Sequence, residues 1–320
     1  MNNNNFIGPF KNIAPLYIEY KRSLGFNSES EYSELKRLDK YFYNKGITEV
    51  ILTKDMVEEY GMLRENESPR TQAKRLSILK QFAIYLQKMG YPNIYVHHIM
   101  PSKSDSKFKP YIYSEHDLNI IFNYLDKHQY DTNSIFNCVL PILIRILYGT
   151  GLRRGEAINL KNTGVNLDKR IITIYNGKEN VTRIVPISES LSESCKTYKS
   201  KFLCNEHYFL CDLKGNKINS HITEYFQKIL KKLNILRPDN TPPRLHDFRF
   251  TFAVNALEKM DKNGQDLYTT LPILCKYLGH KNIEATEYYL LLAKDYFINI
   301  TDKEEKYYSD FKFLKDDDNE

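Results

Sequence analysis

A stretch without apolar periodicity divides this chain into two parts of different character. It reads IMPSKSDSKFKPY at residues 99–111, carries Pro101 and Pro110, and alternates serines with lysines. Prolines and small polar residues interrupt regular structure, so we interpret residues 101–110 as a linker. The 320-residue chain is long enough for a hydrophobic core on each side of it. We therefore expect one domain over residues 1–100 and a second over residues 111–320.

The first part has the spacing of helices throughout. Apolar residues recur every three or four positions in four segments that begin at Ile13, Ser28, Thr53 and Ser68. Glycines follow the first two segments, where helices commonly end, and Ser28 with Glu31 has the pattern of a capping box. The sequence therefore predicts a small four-helix unit.

The second part mixes helices with a short β hairpin. A helix with a Ser-x-x-Asp start is predicted from Ser114, and an apolar helix in FNCVLPILIRILYGTG ends at Gly149 and Gly151. Two β-rich runs then flank Asn176 and Gly177, a dipeptide that favours a tight hairpin turn. The predicted fold class is mainly α, with a small β-sheet in the second domain.

Positive charge is concentrated between residues 70 and 109, a stretch that contains eight lysines and arginines and a single acidic residue, Asp105. Residues 302–320 carry four lysines and eight acidic residues. This asymmetry favours a polyanionic partner such as nucleic acid, although a well-solvated helix face has the same composition. The candidate DNA contacts are Arg70, Lys74, Arg75, Lys80, Lys103, Lys107 and Lys109.

Other patterns argue against a membrane, a secreted protein or a metal site. The chain lacks a run of about 18 apolar residues, the length of a spanning helix, and its first residues lack the apolar core of a signal peptide. The five cysteines form no C-x-x-C pair, which favours reduced thiols in the cytoplasm. His97 and His98 have no further ligands nearby, and no Asp/Glu group suits Mg²⁺. We expect a cytoplasmic protein without metal or cofactor.

Two motifs place an arginine near the start of a helix. GTGLRRGEAINL sets Arg153 and Glu156 three residues apart, where the two side chains share one helix face. RLHDFR sets His246 and Arg249 three residues apart, at a helix terminus that favours anions. Taken alone, the first motif is more often a surface ion pair. The second could equally be a capping histidine beside a solvated arginine.

Two further motifs carry a lysine, a histidine and a pair of tyrosines. Lys178 follows the Asn-Gly turn, where a lysine is usually solvated but could swing toward a ligand. His280 ends the tripeptide Leu-Gly-His, and Tyr288 and Tyr289 lie eight and nine residues further on. Adjacent helical residues are about 100° apart around the axis, so only one tyrosine can face a given group.

The order and spacing of these motifs resemble the tyrosine recombinase (phage integrase) family over essentially the whole chain. The resemblance implies a helical, SAM-like core-binding domain followed by an α+β catalytic domain. It also implies a site-specific recombinase that cleaves DNA through a 3′-phosphotyrosine and rejoins it without metal or ATP. Such a protein would be the integrase or transposase of a mobile element, or an Xer-like resolvase.

The same resemblance implies a role for each candidate residue. Arg153 and Arg249 would clamp the scissile phosphate, Glu156 would buttress the first arginine, and His280 would hydrogen-bond the phosphate. The family places its nucleophile nine residues after Leu-Gly-His, which indicates Tyr289.

The remaining roles concern protons and packing. By resemblance, Lys178 would be the general acid for the leaving 5′-oxygen and His246 would assist proton transfer at the nucleophile. Tyr288 would pack. The sequence departs from the family at Phe250, where members frequently have a histidine, and in a longer stretch before Leu-Gly-His, which we expect to be an extended loop.

Two alternative functions remain open. A type IB topoisomerase shares this chemistry but would relax supercoils as a monomer, and a DNA-binding accessory protein could keep the fold without cleaving DNA. For the recombinase we expect double-stranded DNA as partner and a tetramer in which C-terminal tails are exchanged, although the tail could fold back on its own domain. The apolar residues of the tail that suit docking are Tyr296, Phe297, Ile300, Tyr307, Tyr308, Phe311 and Leu314.

Overall fold

The computed structural model describes residues 6–98, 109–175, 182–202, 206–280 and 282–294. The chain divides into two compact units, Met1–Phe108 and Lys109–Glu320. The Asn-Gly turn and the tail residues selected for docking lie outside the described residues. None of the helices within the described ranges combines the length and apolar character needed to cross a membrane.

The first unit contains four helices, as the apolar spacing predicts: α1 (Ile13–Ser23), α2 (Glu29–Asn44), α3 (Lys54–Gly61) and α4 (Pro69–Lys88). Thr53 and Ser68 cap α3 and α4, each accepting a hydrogen bond from a backbone N–H of the first turn. The capping box predicted at Ser28 is not formed, because the Ser28 side chain makes no capping hydrogen bond.

Aromatic rings fill the centre of this unit. Phe10 contacts Phe42 and Phe82 edge to face, with ring centroids 5.3 and 5.5 Å apart. The buried carboxylate of Asp39 accepts hydrogen bonds from the backbone N–H groups of residues 7, 8 and 10. A buried carboxylate is stable only when hydrogen bonds or an opposite charge compensate it, and here the backbone N–H groups do so. The same bonds hold the segment before α1 against α2.

The second unit combines helices with a small sheet. Its helices are α5 (Glu115–His128), α6 (Leu140–Thr150), α7 (Arg154–Ile158), α8 (Glu189–Lys201), α9 (His221–Lys232), α10 (Asp247–Lys262), α11 (Leu267–Leu278) and α12 (Glu284–Lys294). Strands β1 (Val165–Asn166), β2 (Ile171–Ile174) and β3 (Arg183–Pro186) form an antiparallel sheet in the order β1-β2-β3. The predicted fold class, mainly α with a small sheet, is confirmed.

Helix α10 occupies the centre of the second unit. It packs on α6, which is buried on almost every side, and on α11 and α12. Ala253, Val254 and Leu257 of α10 lie in one buried cluster with Leu274 of α11 and Leu290 of α12. The first turn of α10 and the ends of α6 and α11 carry the residues of the motifs.

The stretch before Leu-Gly-His differs from the expectation of an extended loop. It folds into α11, with Pro272 inside the helix. The apolar residues Leu267, Leu271, Leu274 and Leu278 recur at helical spacing and are buried against α10, which explains why this segment is helical.

Candidate active site

Arg153 reaches the site because α6 ends in a tight turn. Gly151 ends α6 with φ +61°, and a Cβ at this position would lie 2.5 Å from the ring of Phe252. Arg153 then precedes α7, where its backbone N–H donates to Glu156 Oε2 over 2.9 Å and its Nη1 donates to Glu156 Oε1 over 3.0 Å. Arg153 Nη2 donates to the carbonyl of Gly279 over 2.8 Å. The motif is therefore a positioned pair rather than a solvated one.

Arg249 lies in the first turn of α10 and is 1% exposed. It donates from Nη1 to the Gly151 carbonyl (2.8 Å) and from Nη2 to the Leu278 carbonyl (2.9 Å). Nη2 also lies 2.7 Å from His280 Nε2. Among the described residues no carboxylate forms an ion pair with this guanidinium, so the arrangement suits an incoming anion.

His280 is held in one tautomer by its two neighbours. Arginine can only donate, so His280 Nε2 accepts from Arg249 and Nδ1 carries the hydrogen. Nδ1 lies 2.9 Å from the hydroxyl of the buried Thr286. Burial, followed by the positive charges of Arg249, Arg153 and Arg183, lowers the pKa of His280 to about 4, so the ring is neutral near pH 7.

His246 occupies the position immediately before α10. Its ring contacts Phe250 edge to face, with centroids 5.4 Å apart. Burial, then the charges of Arg249 and Arg244, lowers the pKa of His246 to about 4. A neutral imidazole beside positive charges can accept a proton once an anion arrives.

The Tyr289 hydroxyl is directed at Arg249. Tyr289 is 4% exposed, and its hydroxyl accepts a hydrogen bond from Arg249 Nε over 3.3 Å. Its ring is parallel to that of His280, with centroids 5.7 Å apart, and packs against Phe250. Tyr288 is partly buried and contacts Phe250 from another side of α12.

One residue of this site was missed in the sequence. Arg183 of β3 donates to both oxygens of Glu156, over 3.0 and 2.7 Å. Burial disfavours the Glu156 carboxylate, but Arg183 and then Arg153 outweigh burial and lower the pKa of Glu156 to about 2. The only sequence signal is an arginine at the start of the β-rich run RIVP, which indicates a strand but not where its side chain points.

The other candidates are distributed outside this cluster. Lys178, Lys103 and Lys107 lie outside the described residues. Arg70, Lys74 and Lys109 are exposed and Lys80 is partly buried. In the parts of the chain that are described, no group of three or more His, Cys, Asp or Glu side chains could hold a metal ion.

Arg75, one of the candidate DNA contacts, does not face outward. Its side chain is 2% exposed and forms an ion pair with Glu67 (2.6 Å). It also donates to the carbonyls of Tyr60 and Met62. These partners come from α3 and the segment after it, so Arg75 fastens that segment to α4 and its donors are turned away from the surface.

The chain is similar in sequence to a known protein family. Residues 113–295 match the Phage integrase family. The chain is 26% identical over 293 residues to the integrase/recombinase y4rB of Sinorhizobium fredii, covering 88% of this chain and 92% of that protein. It is 27% identical over 243 residues to tyrosine recombinase XerC of Staphylococcus epidermidis, covering 74% and 76%.

Two solved structures are similar in fold. The XerH site-specific recombinase bound to a palindromic difH substrate superposes with a TM-score of 0.58 at 19% identity, covering 88% of this chain and 81% of that one. The Tn1549 transposon integrase in complex with circular intermediate DNA superposes with a TM-score of 0.61 at 17% identity, covering 86% and 93%.

Proposed function

This chain belongs to the phage integrase family, and from that premise we propose how it acts as a tyrosine-type, site-specific DNA recombinase. Tyr289 is the nucleophile that attacks a DNA phosphodiester, and Arg153 and Arg249 clamp that phosphate. His280 supports the clamp, His246 takes the nucleophile's proton, and Glu156 orients Arg153.

The observation that carries this proposal is that both arginines and the tyrosine meet at one turn. Arg153 binds the carbonyl of Gly279, Arg249 binds the carbonyl of the preceding Leu278, and Arg249 also binds the hydroxyl of Tyr289. Residues 153, 249 and 289 are far apart in sequence, and the fold brings them together. Their convergence supports a single reacting group between them.

The charges of the site match a phosphodiester. This substrate is a monoanion, and attack by a nucleophile builds further negative charge on its non-bridging oxygens. Guanidinium groups supply several donors in fixed directions, and such preorganised donors are commonly worth about 3–4 kcal/mol each to the transition state. Loss of Arg153 or Arg249 should therefore slow cleavage by at least about 10²-fold.

Cleavage exchanges one phosphorus–oxygen bond for another. A bond forms between the Tyr289 oxygen and phosphorus, while the bond between phosphorus and the 5′-oxygen breaks. The phenolic proton passes to His246, which is neutral because burial and nearby arginines lower its pKa to about 4. The leaving 5′-oxygen takes a proton, and the family resemblance assigns its donation to Lys178.

The product explains how strands can be exchanged. A 3′-phosphotyrosine is a phosphodiester like the bond that it replaces, so its energy is not lost to hydrolysis. A 5′-hydroxyl from another strand can attack it and release Tyr289. ATP is therefore not required.

The test is covalent capture on nicked suicide duplexes, from which the short fragment that bears the new 5′-hydroxyl diffuses away after cleavage. A set of duplexes tiled across the DNA that flanks the gene is incubated with the protein, and denaturing gels report the protein–DNA adduct. Wild-type protein and Tyr288→Phe should form the adduct, whereas Tyr289→Phe should not. Tyr288→Phe is the matched control, because it removes the neighbouring hydroxyl from the same helix.

Adduct formation by Tyr289→Phe but not by Tyr288→Phe would show that the nucleophile is misassigned. Absence of any adduct with wild-type protein would favour the accessory-protein alternative, which the similarities to recombinases do not support. Relaxation of supercoiled plasmid without sequence preference would favour the topoisomerase alternative, which they do not support either. We expect EDTA to leave the adduct unchanged, and its loss would contradict a metal-free reaction.

We further propose that the protein acts in the cytoplasm as a tetramer on double-stranded DNA, with exchanged C-terminal tails. The apolar tail residues after position 295 motivate this assignment. A variant ending at Lys294 should still bind a single duplex site but should no longer form the tetrameric complex in sedimentation velocity. A tetramer formed equally well without the tail would contradict tail exchange.

A further inference from the structure

We propose that Arg183 is a positioning residue for strand cleavage, a role that rests on the function proposed above. It holds Glu156 and the Leu278–His280 turn in one arrangement, and that arrangement aims Arg153 and His280 at the scissile phosphate. Arg183 lies on β3, whereas Arg153 immediately precedes α7 and Arg249 lies on α10.

The first contact is with the residue that orients Arg153. Glu156 lies between two guanidinium groups, with its side chain 7% exposed and that of Arg183 8% exposed. Arg183 binds Oε1 from Nη1 and Oε2 from Nη2, the two-bond geometry that fixes a carboxylate in both position and plane. Arg153 then binds those same two oxygens through Nη1 and its backbone N–H. The direction of the Arg153 fork therefore depends on Arg183.

The second contact is with the turn that ends in His280. Arg183 Nε donates to the carbonyl of Tyr277 over 3.0 Å. Its guanidinium also fills the space beside Gly279, where a Cβ would lie 2.8 Å from Nη1. Gly279 has φ +71°, so this position favours glycine on two grounds. The backbone that leads from α11 into His280 is thus shaped around the Arg183 side chain.

These contacts distinguish Arg183 from the clamp itself. All three of its nitrogens bind Glu156 and the Tyr277 carbonyl. Arg153 binds Glu156 as well but also reaches the Gly279 carbonyl, and Arg249 reaches the Leu278 carbonyl and the Tyr289 hydroxyl. The two groups that Arg183 braces lie 27 and 94 residues away from it in sequence. A misplacement of about 1 Å can cost about 10²-fold in rate. Loss of the Arg183 contacts should therefore be measurable as a lower rate of cleavage.

A positioning role and a purely structural role predict different outcomes for a double variant. Arg183→Met leaves a buried carboxylate facing one arginine, which should lower stability. Adding Glu156→Gln removes that buried charge and should restore stability. The second substitution does not restore the contacts of Arg183 with residue 156 and the Tyr277 carbonyl, so cleavage should stay slow.

The experiment measures single-turnover adduct formation on the suicide duplex, the Kd for an intact duplex, and urea unfolding. Its variants are Arg183→Met, Glu156→Gln, the double variant, and Arg183→Lys. The control is Arg170→Met, which removes the same charge from the residue immediately before β2, where Arg170 forms an exposed pair with Glu189. Tyr289→Phe is included to test the reaction itself.

We expect Arg183→Met to slow cleavage by about 10- to 100-fold with little change in Kd. The double variant should be as slow as the single variants rather than the product of their effects, because both act through one contact. Arg183→Lys should recover only part of the rate, since a lysine cannot bind both carboxylate oxygens and the Tyr277 carbonyl. Arg170→Met should cleave at the wild-type rate.

Failure of the recombinase function and failure of the Arg183 role alone give different results. If wild-type protein forms no adduct, or Tyr289→Phe forms it equally well, the proposed function fails and the role of Arg183 fails with it. If those controls behave as expected, a wild-type rate in Arg183→Met overturns only the positioning role. Recovery of stability and rate together in the double variant also overturns it, because Arg183 would then be needed only for folding.

Discussion

The His280 ring shows how single contacts set the chemistry of this site. Arg249 donates to Nε2, and Nδ1 can therefore only donate to Thr286. The Thr286 hydroxyl is buried at the start of α12, three residues before the nucleophile. It couples the orientation of His280 to the helix that carries Tyr289.

Thr286→Val should leave the Nδ1–H of His280 without a partner. An unsatisfied buried donor costs about 1–3 kcal/mol, so single-turnover cleavage should slow by about 10-fold or more as the ring reorients. Thr270→Val is the matched control, because the Thr270 hydroxyl is also buried but donates to the backbone carbonyls of Asp266 and Leu267 at the start of α11. Equal cleavage rates for the two variants would show that Thr286 does not hold the histidine.

The two histidines also predict how stability depends on pH. Their pKa values are lowered from 6.5 to about 4 by burial and nearby arginines, so between these values the unfolded chain binds more protons than the folded one. Stability should be fully present above about pH 6.5 and should be lost as the pH falls toward 4, by about 1–3 kcal/mol per histidine. Urea unfolding of wild type and His246→Gln should show a shallower pH dependence in the variant, and identical slopes would contradict this assignment.

At the scale of elements, the site is built where three helices begin or end. Gly151 ends α6, Arg249 begins α10 and Gly279 ends α11. Strand β3 contacts α7 and α11 through Arg183. The catalytic geometry therefore depends on turns as much as on helices.

Gly279→Ala should disturb more than the turn. A positive φ costs an alanine about 1–2 kcal/mol, and the new Cβ also collides with the Arg183 guanidinium. Gly264→Ala is the matched control, because Gly264 has φ +75° but open space around its Cβ position. Urea unfolding and cleavage rates should show a stability loss in both variants and slower cleavage only in Gly279→Ala. Normal cleavage by Gly279→Ala would mean that the turn is not shaped around Arg183.

Local sequence signals predicted where helices begin better than they predicted which charged side chains are buried. Thr53, Ser68 and Ser114 mark helix starts because a cap uses only neighbouring atoms. Arg183 and Arg75 could not be placed this way. Their partners lie on other segments of the chain, and helical or strand spacing assigns a charged residue to the surface by default.

The residues around the nucleophile were predictable for a different reason. No local rule joins Arg153 to Arg249 or to Tyr289, and each motif alone had an ordinary alternative. Their combined order and spacing carried the prediction through the family resemblance. The Lys178 assignment stays a prediction on the same basis.

At the scale of the whole molecule, the basic residues between positions 70 and 109 predict salt-dependent DNA binding. Each neutralised phosphate should contribute about −0.9 to the log–log slope of affinity against salt. Lys74→Ala should weaken binding to all sequences and reduce that slope by about 1, measured by fluorescence anisotropy. The neighbouring Arg75→Met should instead destabilise the first unit by about 1–3 kcal/mol, because it removes the ion pair with Glu67 and the hydrogen bonds to the Tyr60 and Met62 carbonyls. A reduced slope with unchanged stability in Arg75→Met would contradict its structural role.

The most direct test of the central claim is to identify the residue that becomes joined to DNA. The adduct is trapped on a suicide duplex, digested with nuclease and protease, and sequenced by tandem mass spectrometry. We expect the nucleotide remnant on Tyr289, in the peptide that contains both adjacent tyrosines. A remnant on Tyr288, or on any residue outside α12, would contradict the account.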